Sequence, residues 1–158
     1  PMGSRHPSIA PFEAFRTKDN YIIIAAGNDK LFNNLCSVLE IPTISNDERF
    51  KTNSSRCENM DALKKILEEK LNLKNTEEWI KEMESLKIPC GPIFNIKQAV
   101  ENPQIKERNM IIKSYHKKIG EFRSAGNPIK MSTYKDNETR GDIPDLDEHR
   151  EKLLKEFS

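Results

Sequence analysis

Glycine, cysteine and tryptophan are scarce in this chain, and no stretch of it is long and apolar. Its 158 residues hold 6 glycines, and they are too scattered to form a glycine-rich loop of the kind that cradles phosphates. Cys36, Cys57 and Cys90 are odd in number, widely spaced and without a Cys-x-x-Cys pair, so neither a disulfide framework nor a zinc site is indicated and a reducing cytoplasm is the natural compartment. No apolar run approaches the roughly 20 residues of a membrane span, and no charged start with an apolar middle marks a signal peptide. Charge of one sign is also lacking. Lys and Arg number 26 against 25 Asp and Glu, and the resulting +1 gives no bulk electrostatic case for nucleic acid or an acidic membrane.

What is present is polar. Hydrophobic residues make up 35% against 32% charged, so the core is small or part of the chain does not pack on itself. The length suits one ordinary domain with an appended arm, since domains commonly run to about 100 to 150 residues. Patterned sequence begins almost directly after Pro1-Met2, as in a piece of a longer protein, although Met2-Gly3-Ser4 reads equally as a cloning remnant.

Residues 1–11 carry Gly3, Ser4, Pro7, Ser8 and Pro11 and read as a leading segment. Phe12 and Phe15, then Tyr21 to Ala26, flank Lys18-Asp19-Asn20 as a hairpin. The nearly continuous isoleucines predict a strand buried on both faces. Asn28 or Asp29 caps a helix whose stripe is Leu31, Phe32, Leu35, Cys36, Val38 and Leu39, ending before Pro42. Residues 43–58 read as polar turns, with one helical turn at Asp47 to Phe50. A longer helix starts near Asn59, and another is capped by Thr76 with Trp79 on its core face.

Ile88-Pro89-Cys90-Gly91-Pro92-Ile93-Phe94-Asn95 then reads as a stiff turn, its prolines fixing φ and Gly91 free to take φ > 0, followed by a strand at Ile93-Phe94. Short helices are expected at Ile96 to Glu101 and from Pro103 to about Arg108, and strands at Met110 to Tyr115 and Gly120 to Arg123. Linker composition follows from Thr133 to Leu146, then a helix over Glu148 to Phe157. The fold class is α+β: a small antiparallel sheet with several packed helices over residues 12–132, plus an extended C-terminal arm over 133–158.

No residue pattern here builds a catalytic centre or a metal site. The pairs Glu68-Glu69 and Glu77-Glu78 read as solvated helix faces, and His116 and His149 lack partners of the kind a triad needs. Lys113, His116, Lys117 and Lys118 form a basic cluster that reads as capping a solvated hairpin rather than gripping phosphate. Cys36 lies on an apolar stripe and reads as a packed thiol. His6 differs, because in Gly3-Ser4-Arg5-His6-Pro7 exposed backbone amides and a cation could meet an anion.

The run Gly3-Ser4-Arg5-His6-Pro7-Ser8-Ile9-Ala10-Pro11-Phe12-Glu13-Ala14-Phe15-Arg16-Thr17, then Asp19-Asn20-Tyr21-Ile22, Ala26-Gly27-Asn28-Asp29, the Pro-Cys-Gly-Pro segment and Pro103-Gln104 resemble the class III coenzyme A transferases. This is the formyl-CoA, carnitine and succinate-hydroxymethylglutarate CoA-transferase family. The resemblance runs from residue 2 to about 132, and Asp147-Glu148-His149 looks like the family's Gly-Glu-His segment with Asp in place of Gly.

The resemblance implies that residues 12–132 are the family's small α+β domain. A large CoA-binding domain would lie upstream, and residues 133–158 would return toward it. It implies an interlocked homodimer, acyl-CoA and carboxylic acid substrates, and a reaction through an aspartyl mixed anhydride and thioester whose nucleophile lies outside this chain. Coenzyme A enters as the substrate's thioester, and no cofactor is expected on this chain by itself. Gly3 and, more weakly, Ser4, Arg5 and His6 stand where the family places a loop over the nucleophile, though only Gly3 keeps the glycine character. The alternatives are an acyl-CoA racemase of the same superfamily and a non-catalytic interaction module.

Overall fold

A computed structural model describes residues 3–157; Pro1 and Met2 of the leading segment, and Ser158 at the end of the arm, lie outside them. The fold is α+β, with two small antiparallel sheets among the described residues. The chain divides into two compact units, Pro1–Ile93 and Phe94–Ser158.

In the first unit β1 (Phe12–Arg16) and β2 (Tyr21–Ala25) form the expected hairpin, in a register that sets Glu13 opposite Ile24 and Phe15 opposite Ile22. Burial alternates along β2: Ile22 and Ile24 are sealed, whereas Ile23 and Ala25 are half-buried. The expectation of a strand buried on both faces is thus corrected, because the helices of this unit cover one face only. α3 (Met60–Leu71) packs against β1 and α4 (Thr76–Ser85) against β3 (Cys90–Pro92), and their Leu63, Leu67 and Met83 share one core with Phe15, Ile22 and Ile24. Trp79 is a core residue, 3% exposed, with its indole N–H donated to the Leu71 carbonyl at 2.8 Å.

β3 is the Pro-Cys-Gly-Pro segment itself, paired with β2 so that Cys90 faces Ile24, Gly91 faces Ile23 and Pro92 faces Ile22. The predicted turn is therefore an edge strand, and Ile93-Phe94 lies beyond it. Proline is tolerated there because an edge strand leaves one row of N–H positions unpaired. The reversal happens earlier, at Lys87, which takes φ +56 after α4 while the Ile88 N–H reaches the Met83 carbonyl at 3.0 Å. That bond closes a Schellman motif. Glu40 (φ +58) ends α1 (Asp29–Val38) the same way, with Ile41 donating to Cys36. Left-handed residues that are usually glycine are thus supplied by other side chains in a chain with few glycines.

The helix starts follow local chemistry. Asn28 caps α1 by accepting the Leu31 N–H, and Asn75, rather than Thr76, is the cap of α4 through a capping box with Glu78. Thr76 sits one residue inside the helix, with its hydroxyl 2.7 Å from that of Thr17. The region expected to be polar turns holds a short 3₁₀ helix (Pro42–Asn46) and α2 (Asn53–Glu58).

α2 carries the residue that ties this unit together. Arg56 is fully buried and donates from Nε to the Ala10 carbonyl (2.7 Å), from Nη1 to Phe50 (3.0 Å), and from Nη2 to Gly27 (2.7 Å); both Nη atoms also reach Asp29 Oδ1 at 3.1 Å. The guanidinium lies 4.5 Å from the Phe32 ring centroid, a favourable place for a planar cation. A Cβ on Gly27 beside it would sit 2.1 Å from Ile9 Cγ2, so the exposed Ile9 side chain would have to shift to admit one.

The second unit contains α5 (Ile96–Glu101), α6 (Pro103–Glu107), the hairpin of β4 (Ile111–His116) and β5 (Gly120–Ala125), and α7 (Arg150–Phe157). Residues 127–132 form no strand. The predicted linker is fastened at its middle to the open edge of β4. Lys113 donates to the Glu138 carbonyl, and Arg140 and Ile143 donate to those of Lys113 and Tyr115. No residue from 133 to 157 is fully buried.

Arg56→Met should cost about 3–5 kcal/mol, because it strands buried carbonyl acceptors, and should lower the urea midpoint followed by Trp79 fluorescence; an unchanged midpoint would refute the role given to Arg56. In the second unit a Cβ on Gly126 would lie 2.1 Å from the Asn109 carbonyl oxygen. Gly126→Ala should therefore cost about 1–3 kcal/mol, read as faster amide exchange across the β4–β5 ladder.

Candidate functional site

The leading segment runs along the outer edge of β1, which otherwise would expose unpaired backbone. The His6 N–H donates to the Phe12 carbonyl (2.9 Å), and Ser4 Oγ accepts the Ala14 N–H (3.0 Å). Farther along, Glu68 Oε1 accepts the Arg16 N–H at 2.8 Å. Gly3, Ser4, Arg5 and His6 are thus consecutive in a loop anchored to the sheet, with Gly3 in the left-handed region at φ +64 and open space where a Cβ would be.

Arg5 is already occupied. Its Nε donates to Glu13 Oε1 at 2.9 Å and its Nη2 to Asp61 Oδ1 at 2.7 Å. Asp61, chiefly through that hydrogen bond, and then Glu13 hold the guanidinium pKa above its ordinary value against some desolvation. Glu13 points into the core at 3% exposure and takes its second cation from Lys64 on α3. Lys64 also donates to the Ala14 carbonyl at 2.9 Å. The cation expected to face an incoming anion therefore fixes the loop to α3. A hollow of about 310 Å³ beside it is lined by Arg5, Cys57, Met60 and Asp61 among others.

His6 keeps a free donor. Its ring stacks on Phe12 with centroids 5.3 Å apart and planes 7° from parallel, and Nδ1 accepts the Ser8 N–H at 3.2 Å. That bond assigns the proton of the neutral ring to Nε2, which has no partner among the described residues. The half-buried imidazole is therefore held rigidly with one N–H on offer.

Cys36 and Cys90 are poor nucleophiles. Burial pushes Cys36 up to about 11, outweighing the opposing charge of Arg56, and desolvation followed by Glu84 raises Cys90. Among the described residues no group of three or more His, Cys, Asp or Glu side chains is placed to hold a metal ion.

In the second unit the basic cluster of the sequence divides. Lys117 and Lys118 reach Asp145 at 2.8 and 2.9 Å, His116 Nε2 lies 3.5 Å from the same carboxylate, and Lys117 also approaches Glu148. Lys113 stands apart from them, directly opposite Arg123 across the hairpin. The two lysines, Lys117 first, hold the Asp145 carboxyl below its usual range. Asp147 takes φ +67, a left-handed geometry that favours glycine.

The sequence pattern of CoA-transferase family III matches residues 1–150. The chain belongs to CoA-transferase family III. Among its relatives in the family is the acetyl-CoA:oxalate CoA-transferase of Acetobacter aceti, 40% identical over 157 residues, a stretch that is 99% of this chain and 39% of that protein. The human succinyl-CoA:glutarate CoA-transferase is 34% identical over 98% of this chain and 35% of its own length. A solved CAIB/BAIF family protein from Brucella suis matches with a TM-score of 0.76 and 33% identity, over 99% of this chain and 40% of that one. The chain thus spans between one third and two fifths of the length of these relatives. Among the described residues no helix is long and apolar enough to cross a membrane.

Arg56, Glu13, Lys64 and Asp61 were missed by sequence reasoning. Arg56 had no helical-face signal, because α2 ends at Glu58 and the apolar Met60 and Leu63 belong to a separate helix. Glu13 alternates with Phe15 on the inward face of β1, which marks it as buried.

The folded Asp145 carboxyl titrates below its unfolded value, so its contribution is complete above the ordinary value of about pH 4 and is lost as pH falls through the folded value. Amide exchange at Ile143, corrected for intrinsic rate, should accelerate in that acid window, and Asp145→Asn should show the acceleration already at pH 7. Identical exchange in both proteins at pH 7 would overturn this assignment.

Proposed function

We propose that this chain is the small-domain portion of an enzyme that moves coenzyme A from an acyl-CoA to a carboxylic acid, with its catalytic aspartate on a large CoA-binding domain outside the chain. The observation that carries the reading is the family match over residues 1–150, joined by relatives named as acetyl-CoA:oxalate and succinyl-CoA:glutarate CoA-transferases. Residues 12–132 serve as the small domain, residues 133–158 return toward the large domain, and the complete protein works as an interlocked homodimer in the cytoplasm.

The chemistry proposed for the whole protein is covalent. An aspartate oxygen attacks the thioester carbonyl, the C–S bond breaks and the CoA thiolate leaves, giving a mixed anhydride. The thiolate then attacks the aspartyl carbonyl, expelling the donor acid and forming an aspartyl thioester. The acceptor carboxylate attacks that thioester in turn, and the returning thiolate cleaves the new anhydride on the acceptor's side. Each step exchanges one acyl bond for another, with no net proton change.

The loop at Gly3 to His6 is assigned to closing over that centre and binding a substrate carboxylate. Its stacked His6 supports the assignment, since Nε2–H is an oriented donor for a carboxylate, whereas Arg5 holds the loop in place through Glu13 and Asp61. The thiols are left out of the mechanism, in keeping with the raised pKa of Cys36.

Purified alone, residues 1–158 should give no CoA exchange between an acyl-CoA and oxalate or a longer dicarboxylic acid, while the full-length protein should give exchange and a trappable enzyme thioester. Turnover by the isolated chain would sink the reading. In the full-length protein, His6→Phe keeps the ring stack and removes the donor. It should raise KM for the acceptor acid about tenfold with little change in KM for the acyl-CoA, given the strength of a hydrogen bond to a charged group.

A further inference from the structure

The second unit contains a cationic groove for which the transfer chemistry gives no role. A cavity of about 360 Å³ is lined by Lys106 of α6, Lys113 of β4 and Arg123 of β5, with Asn109, Ile111, Val100 and Glu138 completing it. It adjoins a wider hollow of about 860 Å³ that shares Lys106, Arg123, Val100 and Ile111 and adds Glu101, Ser124 and Ala125. Lys106, Arg123, Val100 and Ile111 line both hollows, all three cations meet in the smaller one, and Ala125 extends the apolar surface of the wider one.

The cations are unusual in their placement. Lys113 and Arg123 face each other directly in the antiparallel register, an arrangement of like charges that destabilises a hairpin. Neither they nor Lys106 join an ion pair among the described residues, although Lys117, Lys118, Lys130 and Arg140 of the same unit all do. In the smaller cavity three cations and the carboxylate of Glu138 leave two positive charges in excess, and Glu101 of the wider hollow lowers the excess of the pair to one. A dianion would relieve the repulsion and take charge-assisted hydrogen bonds from a guanidinium fork and two ammonium groups.

We propose that this groove binds a phosphate monoester, its dianionic head among Lys106, Lys113 and Arg123 and its organic body along Val100, Ile111 and Ala125. Three cations on one cavity favour a ligand with both charges on a single head over an α,ω-dicarboxylate, which carries its two charges at opposite ends. Nothing in the argument draws on the reading of the chain as part of a transferase, so the two stand or fall separately.

The test is an NMR titration of the 158-residue chain at constant ionic strength, following the amides of Lys106, Lys113 and Arg123. The probes are inorganic phosphate, n-butyl phosphate and succinate, with chloride as the reference. Saturable shifts with n-butyl phosphate, tighter than with inorganic phosphate and tighter than with succinate, are the expected result. Arg123→Gln should weaken n-butyl phosphate about tenfold and Glu138→Gln should strengthen it, while Lys155→Gln, which removes the same charge from α7, should leave it unchanged. Shifts that never saturate, an Arg123→Gln chain that binds as the parent does, equal weakening by Lys155→Gln, or succinate binding as tightly as the ester would each overturn the proposal.

Discussion

A single buried guanidinium holds the first unit in its shape. Arg56 is sealed from solvent, and removing such a charge from water costs several kcal/mol unless its donors are satisfied. They are: carbonyls of Ala10, Gly27 and Phe50 and the carboxylate of Asp29 take them, with the Phe32 ring against the guanidinium. These acceptors belong to the leading segment, the β2–α1 junction and the stretch before α2. Three separate pieces of the chain therefore converge on one side chain. Asp29 itself is largely exposed, so the pair is not a buried ion pair in the full sense, and backbone dipoles carry much of the compensation.

The position of the candidate loop follows from that anchor. Once Ala10 is fixed, the preceding residues run back along β1, where Ser4 and His6 cover its edge and Arg5 reaches over to Glu13 and Asp61. The same economy recurs in the second unit, where residues 138–143 cover the edge of β4 by backbone bonds alone. Covering an edge in this way removes a template for unwanted pairing. It also brings charged groups of distant sequence together, Lys117 and Lys118 with Asp145 on one side of the hairpin, and Lys113 with Arg123 across it.

Much of the local structure was legible. The stripes of α1, α3 and α4, the hairpin at Lys18-Asp19-Asn20, the proline at the start of α6 and the packed roles of Trp79 and Cys36 all follow from periodicity and capping chemistry. The α+β class and the family resemblance were legible too, since several short motifs recur in order. The failures share a cause. The isoleucine run looked doubly buried because composition does not say how many helices cover a sheet, and the helices cover one face. Pro-Cys-Gly-Pro looked like a turn because its residues favour turns locally. Pairing with β2 overrode that preference, and the sharp reversal moved to Lys87.

The candidate site divides along the same line. From the sequence came a loop with a histidine and an arginine near the start of a family motif. Which of them is free was not readable there, because Arg5 finds Asp61 56 residues away and Lys64 meets Glu13 across 51. By itself, then, the sequence determined α1 and the helices from α3 onward, the first hairpin, the family and the loop's position in the chain, since each depends on residues close together or on motif order. Only the tertiary structure decided that Arg56 is the anchor, that Arg5 is spent on carboxylates while His6 keeps a donor, and that Lys106, Lys113 and Arg123 share a groove. Those outcomes rest on long-range contacts and on desolvation, which local spacing does not encode.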